Sequence, residues 1–298
     1  MKKKTLLLTG TSGFIGFKFL QYALSNNFRV IDILRYKNKR NIKLIVLKKK
    51  YLKNYKNIFF LNNKDLSNKL RNIKVDYFIN FATLYNNRHS HVQISDFIES
   101  NILFPTIIYD LVNQKTKKII NFGSMMQHSK NKELTSKNFY AATKNAFEMI
   151  GNYYAKENNK TKFYNLKFYE SFGSNDTRKK MIPTLISNYK KNKTTKILSN
   201  KLALNIIHTD DIINSIRILL NNNIKSGSYC LKNKDSIKIR HLIDLLNRDL
   251  KRKIKVKYEN KSTNVNFNNN LKTLPKWKPI KNLKNIILKT FKDEINKN

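Results

Sequence analysis

The stretch that most limits what this chain can fold into is TLLLTGTSGFIG, Thr5 to Gly16. Gly10, Gly13 and Gly16 fall in one seven-residue window, in a 298-residue chain that has only 7 glycines. The window follows an apolar run that reads as a strand, and opens FIGFKFLQYALSNN, which reads as a helix. Glycine suits a backbone that turns tightly or lets a ligand come close. A helix N-terminus offers free N–H groups and partial positive charge to an anion. T-G-x-x-G-x-x-G in that setting predicts a cradle for the pyrophosphate of a dinucleotide, built from Gly10, Gly13, Phe14, Ile15 and Gly16.

Beyond the turn, short apolar runs alternate with longer amphipathic ones. FRVIDIL, NIFFLN, VDYFINFA, KKIINFG and KFYNLKFY read as buried strands. ISDFIESNILFPTIIYDLVNQ has helical periodicity interrupted by Pro105, and SKNFYAATKNAFEMIGNYYAKEN reads as a long helix despite Gly151. This alternation predicts an α/β protein with a doubly wound parallel sheet. After about residue 170 the pattern is mixed, which predicts a smaller α/β C-terminal domain. The expected division is 1–170 and 171–298, with segments around 201–222 returning to the first. ALNIIH reads as one strand, TDDIINSIRILLNN as a helix, ENKSTNVNFNNN as a surface loop and PKWKPIKNLKNIILKTF as a closing helix.

No apolar run approaches the roughly 20 residues of a bilayer span, and the N-terminal TLLL is too short for a signal peptide. Cys230 is the single cysteine and has no partner for a disulfide or zinc site. These features predict a cytoplasmic protein without membrane insertion. The net charge of +41 is spread over separate lysine-rich segments such as KNKRNIKLIVLKKK, YKKNKTTK and KRKIKVK. It is therefore read as compositional bias without a dedicated nucleic-acid partner; a non-catalytic protein that holds RNA or another polyanion is the competing class. His89 and His91 form an H-x-H that lacks a third ligand, so no metal is expected. Trp277 is read as an anchor in the core.

The second strand's tip decides which dinucleotide fits, because it meets the adenosine ribose. Asp32 lies inside the apolar run, whereas Arg35 stands at its end, with Lys37 and Arg40 beyond. A guanidinium there suits a 2′-phosphate, so NADP is favoured with NAD left open. Tyr140 and Lys144 are four residues apart on the long helix and share a face. A neighbouring ammonium favours the phenolate of a group whose reference pKa is about 10. Ser124 ends a strand and offers a hydroxyl to a substrate oxygen. Y-x-x-x-K alone is common by chance; the order of glycine turn, strand-end Ser and Tyr/Lys helix is not.

Over nearly its whole length the sequence resembles the extended short-chain dehydrogenase/reductases, the NAD(P)-dependent epimerases, dehydratases and reductases of nucleotide sugars. The resemblance rests on TGTSGFIG, on NKDL, on FINFAT, on Ser124, Tyr140 and Lys144, and on IIHTDDII. It implies a Rossmann fold, Asp65 and Leu66 against adenine, Ala82 near the cofactor, Ser124, Tyr140 and Lys144 as the catalytic trio, and a homodimer. The family's 4,6-dehydratases carry an acidic pair where Met125 and Met126 stand here, so dehydration is disfavoured. NFGSMMQH, FYAATKNAFE and SNDTRKKMIP are similar to the 4-keto reductases related to CDP-abequose synthase. The resemblance thus implies NADPH-dependent reduction of a nucleotide-linked 4-keto-6-deoxyhexose, with Arg178, Lys179 or Lys180 meeting the diphosphate; Arg178 and Lys180 are the preferred pair. An NAD-dependent 4-epimerase is the alternative.

Overall fold

The computed structural model describes residues 3–35, 52–53, 55–62, 66–128, 135–158, 160–234, 236–259, 271–279 and 282–297. Lys37, Arg40, Asp65 and nearly all of the Asn-rich segment lie outside them. The chain divides into two compact units, Met1–Lys167 with Ile216–Cys230, and Phe168–Ser215 with Leu231–Asn298.

The first unit is built on a parallel sheet. Its strands are β1 (Thr5–Thr9), β2 (Arg29–Leu34), β3 (Ile58–Asn62), β4 (Tyr77–Asn80), β5 (Lys118–Phe122) and β6 (Lys162–Lys167), joined by a seventh, Gly227–Cys230. Their order across the sheet is Gly227–Cys230, β6, β5, β4, β1, β2, β3, and every pairing is parallel. Helices covering both faces explain why these strands read as nearly unbroken apolar runs. Helices described in this unit include α1 (Phe14–Ser25), α2 (Leu66–Arg71), α3 (Ile94–Ile98), α4 (Phe104–Val112) and α5 (Phe139–Glu157).

One polar row crosses this apolar interior. The register sets Thr9, Asn80, Asn121 and Asn165 side by side on β1, β4, β5 and β6. Thr9 Oγ1 donates to Asn80 Oδ1 (2.7 Å), Asn80 Nδ2 to Asn121 Oδ1 (2.9 Å), and Asn121 Nδ2 to Asn165 Oδ1 (2.8 Å). Each bond stabilises by about 1 kcal/mol, and losing one partner strands a buried polar group at greater cost. The row therefore makes a slipped register expensive.

Pro105 does not end its helix. α3 runs into a π turn at Glu99–Leu103, which runs directly into α4. Proline has no N–H to give the carbonyl four residues back, and the wider turn absorbs the missing bond. Gly151 is explained by packing: an added Cβ would stand 2.3 Å from the Phe163 ring, and its carbonyl accepts from the Tyr109 hydroxyl.

In the second unit Phe172, Ile182, Leu185, Ile197, Leu242 and Phe291 belong to one apolar core. ALNIIH is not one strand. Ala203–Leu204 pairs with Ile237–Lys238, and Ile206–His208 with Glu170–Phe172. Asn205 breaks the run, because its side chain bonds the backbone of Asn233 at both N–H and carbonyl. The closing helix begins at Leu283, where Asn282 caps it; the proline-containing stretch before it is not helical. Trp277 is buried and donates from Nε1 to the Asp211 carbonyl (2.9 Å).

Gly151→Ala should destabilise the protein by about 1–3 kcal/mol, the usual cost of overpacking a filled core, as measured by denaturant unfolding. An unchanged midpoint would refute the Phe163 contact.

Candidate active site

The glycine turn joins β1 to α1 and leaves no room for side chains at two of its glycines. Gly10 has a φ of +70°, and an added Cβ would lie 2.3 Å from the Ala82 backbone nitrogen. A Cβ on Gly16 would lie 2.5 Å from the Gly10 carbonyl oxygen. Gly13 is the N-cap of α1, with no side-chain capping bond, and its N–H donates to Gly10 (2.9 Å). The N-cap glycine thus makes no side-chain bond to the end of α1, where an anion would sit. Phe14 and Ile15 follow, half buried. This cradle fits the pyrophosphate of a nicotinamide dinucleotide.

Asp32 has the partner its burial demands: Thr11 Oγ1 donates to it at 2.6 Å, tying the turn to β2. A cleft lined by Ser12, Asp32, Leu34, Leu52 and Phe60 opens beside the turn, and buried Leu66 begins α2. Arg35 stands just past the end of β2, as expected, but its guanidinium is engaged. It donates to Ser100 Oγ (3.0 Å) and lies 4.5 Å from the Phe104 ring centre. Burial disfavours its charge, while Glu99 and Asp96 favour it.

Ser124, Tyr140 and Lys144 are all buried, at 6%, 8% and 2% exposure. Ser124 follows β5 and caps a 3-10 turn at Met125–Gln127, its Oγ accepting from the Met126 N–H (3.2 Å). This bond uses one of the oxygen's two lone pairs and leaves the O–H as a donor. The turn is fastened to α5 by Gln127 Nε2, which donates to Asn145 and to Glu148, both at 2.6 Å. Asn138 caps α5, two residues before Tyr140.

Burial pushes the Tyr140 phenol up to about 12, against a hydrogen bond shared with Thr83 that lowers it. Tyr85 packs edge-on against the Tyr140 ring at 4.9 Å. Burial pushes the Lys144 ammonium down to about 8, and the charge of Glu148 opposes the fall. Thr83 is the residue after Ala82, so the phenol bonds the segment whose backbone meets Gly10. Glycine turn, Ala82, Tyr140 and Lys144 thus belong to one locale of the first unit.

The sequence reading missed Thr83 and Asn101, which assemble it. Asn101 lies in the π turn and is almost fully buried. Its Oδ1 accepts from the Leu84 N–H (2.7 Å) and the Thr83 hydroxyl (3.2 Å). Its Nδ2 donates to the Leu84 carbonyl and to Thr143 on α5. A π turn often marks a functional site, and the only hint in the sequence was the proline behind it. His89 stacks on Phe139 at 4.4 Å, next to Tyr140. Among the described residues there is no group of three His, Cys, Asp or Glu that could hold a metal.

In the second unit Arg178 is held by a bidentate pair with Asp176 (2.8 and 2.7 Å) and donates to the Ser171 carbonyl (2.8 Å). Lys180 is the N-cap residue of the helix Met181–Lys190.

Comparison with known proteins agrees with this architecture. A CDP-abequose synthase of Yersinia pseudotuberculosis is 28% identical over 227 residues, covering 75% of each chain. One from Salmonella muenchen is 22% identical over 259 residues, 86% of this chain and 84% of the other. The UDP-glucuronic acid 4-epimerase of Bacillus cereus in complex with NAD superposes with a TM-score of 0.80 at 18% identity, over 97% of this chain and 99% of that one. The family model that describes the NAD dependent epimerase/dehydratase family matches residues 6–230. The chain belongs to the NAD dependent epimerase/dehydratase family.

Proposed function

We propose that this protein is a cytoplasmic NADPH-dependent reductase of the 4-keto group of a nucleotide-linked 6-deoxyhexose, serving deoxysugar synthesis for surface polysaccharide. The observation that carries this reading is a buried phenol held near 12 one helical turn from a buried amine held near 8. At neutral pH the phenol keeps its proton and most of the amine is charged. A buried proton donor and a largely charged amine therefore share one face of α5, an arrangement suited to reduction of a carbonyl.

A bound nicotinamide dinucleotide would supply the hydride. Tyr140 gives its proton to the oxygen that gains charge. Ser124, one lone pair occupied by Met126, donates its hydroxyl proton toward the same oxygen. Lys144 holds the ribose hydroxyls and makes loss of the Tyr140 proton easier. The polar side chains around Ser124 do not supply a dehydratase's acid and base at the next two positions, which are thioethers. Met125 is buried against the Cys230 sulfur (3.6 Å), and Met126 accepts from Asn138 (3.8 Å). Arg178 and Lys180 are assigned to the substrate diphosphate. The CDP-abequose synthases among the relatives support a nucleotide-sugar substrate.

An NAD-dependent 4-epimerase is the second reading. It is favoured by the engagement of Arg35 with Ser100 and Phe104, which a 2′-phosphate would have to share. A homodimer belongs to either reading. Ile98, Leu103, Ile107, Met149 and Tyr153 are large apolar side chains left exposed on the helical run Ile94–Val112 and on α5, and a second copy of the chain would cover them.

Purified protein should oxidise NADPH with a nucleotide-linked 4-keto-6-deoxyhexose, and Tyr140→Phe should lose at least about a hundredfold in kcat while binding NADPH normally. Interconversion of 4-epimers without net NADPH consumption would decide for the epimerase. Arg35→Asp should lower the kcat/KM ratio of NADPH to NADH by about tenfold or more, the loss of one charged hydrogen bond; an unchanged ratio removes Arg35 from cofactor choice. Tyr153→Lys with Met149→Lys should shift sedimentation from dimer to monomer.

A further inference from the structure

The mechanism above leaves unused a heavily bonded buried charge in the first unit. Glu148 sits on α5 one turn beyond Lys144 and is buried at 5% exposure. Its Oε2 accepts from Gln127 Nε2 (2.6 Å) and pairs with Lys167 Nζ (2.8 Å). Its Oε1 accepts from the Ser228 hydroxyl. Gln127 in turn accepts the Ser124 backbone N–H at its Oε1 (2.8 Å). Three elements besides α5 thus contribute to one carboxylate: the turn after β5, β6, and the strand Gly227–Cys230. A buried charge this well held is expensive to place, so its position calls for a reason.

A second buried ammonium shares its helix face. Lys144 is a buried ammonium one turn earlier on the same helix, and the charge of Glu148 favours it. The other titratable groups named near this pair are not carboxylates. They are Tyr140 on the same helix, Tyr85 against the Tyr140 ring, Lys167 on β6, His128 at 2.9 Å from Lys167, and the Cys230 thiol. We propose that Glu148 is a positioning residue whose carboxylate keeps Lys144 protonated in the buried site, with Gln127, Lys167 and Ser228 serving to fix that carboxylate.

This inference rests on the reading of Lys144 as a cofactor-binding cation, and the test is arranged so that the two can fail separately. The amine carries its charge below about pH 8 and loses it above. The affinity of the full-length protein for NADPH and NADH, read by nucleotide fluorescence between about pH 6 and 10, should therefore fall through a midpoint near 8. Glu148→Gln keeps the shape of the side chain and removes its charge. The midpoint should then move down by about one pH unit or more, as expected when a close opposite charge is lost.

Because Glu148→Gln strands Lys167, the double variant Glu148→Gln/Lys167→Met removes the pair as a unit. It should show the same downward shift if the single variant does not fold. Lys144→Met should abolish the transition. A midpoint that stays in place when Glu148 loses its charge, in either variant, overturns the proposal; so does a transition that survives Lys144→Met. Absence of nicotinamide nucleotide binding in the unaltered protein overturns the cofactor reading itself, and this inference with it.

Discussion

The close approach of two backbones at Gly10 is the constraint on which the site depends. At 2.3 Å from the Ala82 nitrogen there is no room for a Cβ, and the positive φ is one that other residues adopt only with strain. This contact brings the end of β4 against the glycine turn. The next residue, Thr83, reaches the Tyr140 hydroxyl. The phosphate cradle at the start of the chain and the phenol more than a hundred residues later are thus held together through two consecutive residues.

Around that contact the fold places polar groups where apolar packing alone would leave register unspecified. The Thr9–Asn80–Asn121–Asn165 row ties four strands at one level. Asn80 Oδ1 also accepts from the Ala82 N–H (3.2 Å), so the same row reaches the segment facing Gly10. Asn101 fastens Leu84 to α5, and Gln127 fastens Ser124 to it. Buried amides that are satisfied on several sides rigidify what they join. The mobility of Ser124, Tyr140 and their surroundings is thereby limited by amides on neighbouring elements.

Electrostatics divides the site's labour between two environments on one helix. Tyr140 and Lys144 are both driven toward their neutral forms by burial, but the consequences are opposite. The phenol becomes a reluctant acid and the amine a weak cation. The hydrogen bond with Thr83 restores part of the phenol's acidity, and the charge of Glu148 restores part of the amine's charge. Tyr140, Lys144 and Glu148 stand at four-residue spacing along α5.

The strand–helix alternation, the glycine turn and the Tyr/Lys helix were legible in the sequence because each depends on local periodicity and spacing. Asp32 was recognisable as a carboxylate in need of a partner, but not the partner: Thr11 lies 21 positions away, and the pairing exists only once β1 and β2 are adjacent. Arg35 was correctly placed at the strand tip, yet its engagement with Ser100 and Phe104 follows from how the helical run Ile94–Val112 packs. The amide row, the π turn with Asn101 and the carboxylate of Glu148 left no pattern, since asparagine, threonine and glutamate are ordinary surface residues in a chain this polar. Sequence by itself determined the strand–helix alternation and the glycine turn, because both rest on local periodicity and spacing. Tertiary structure alone decided which polar groups meet in the interior, because burial turns an ordinary side chain into one that must find a partner.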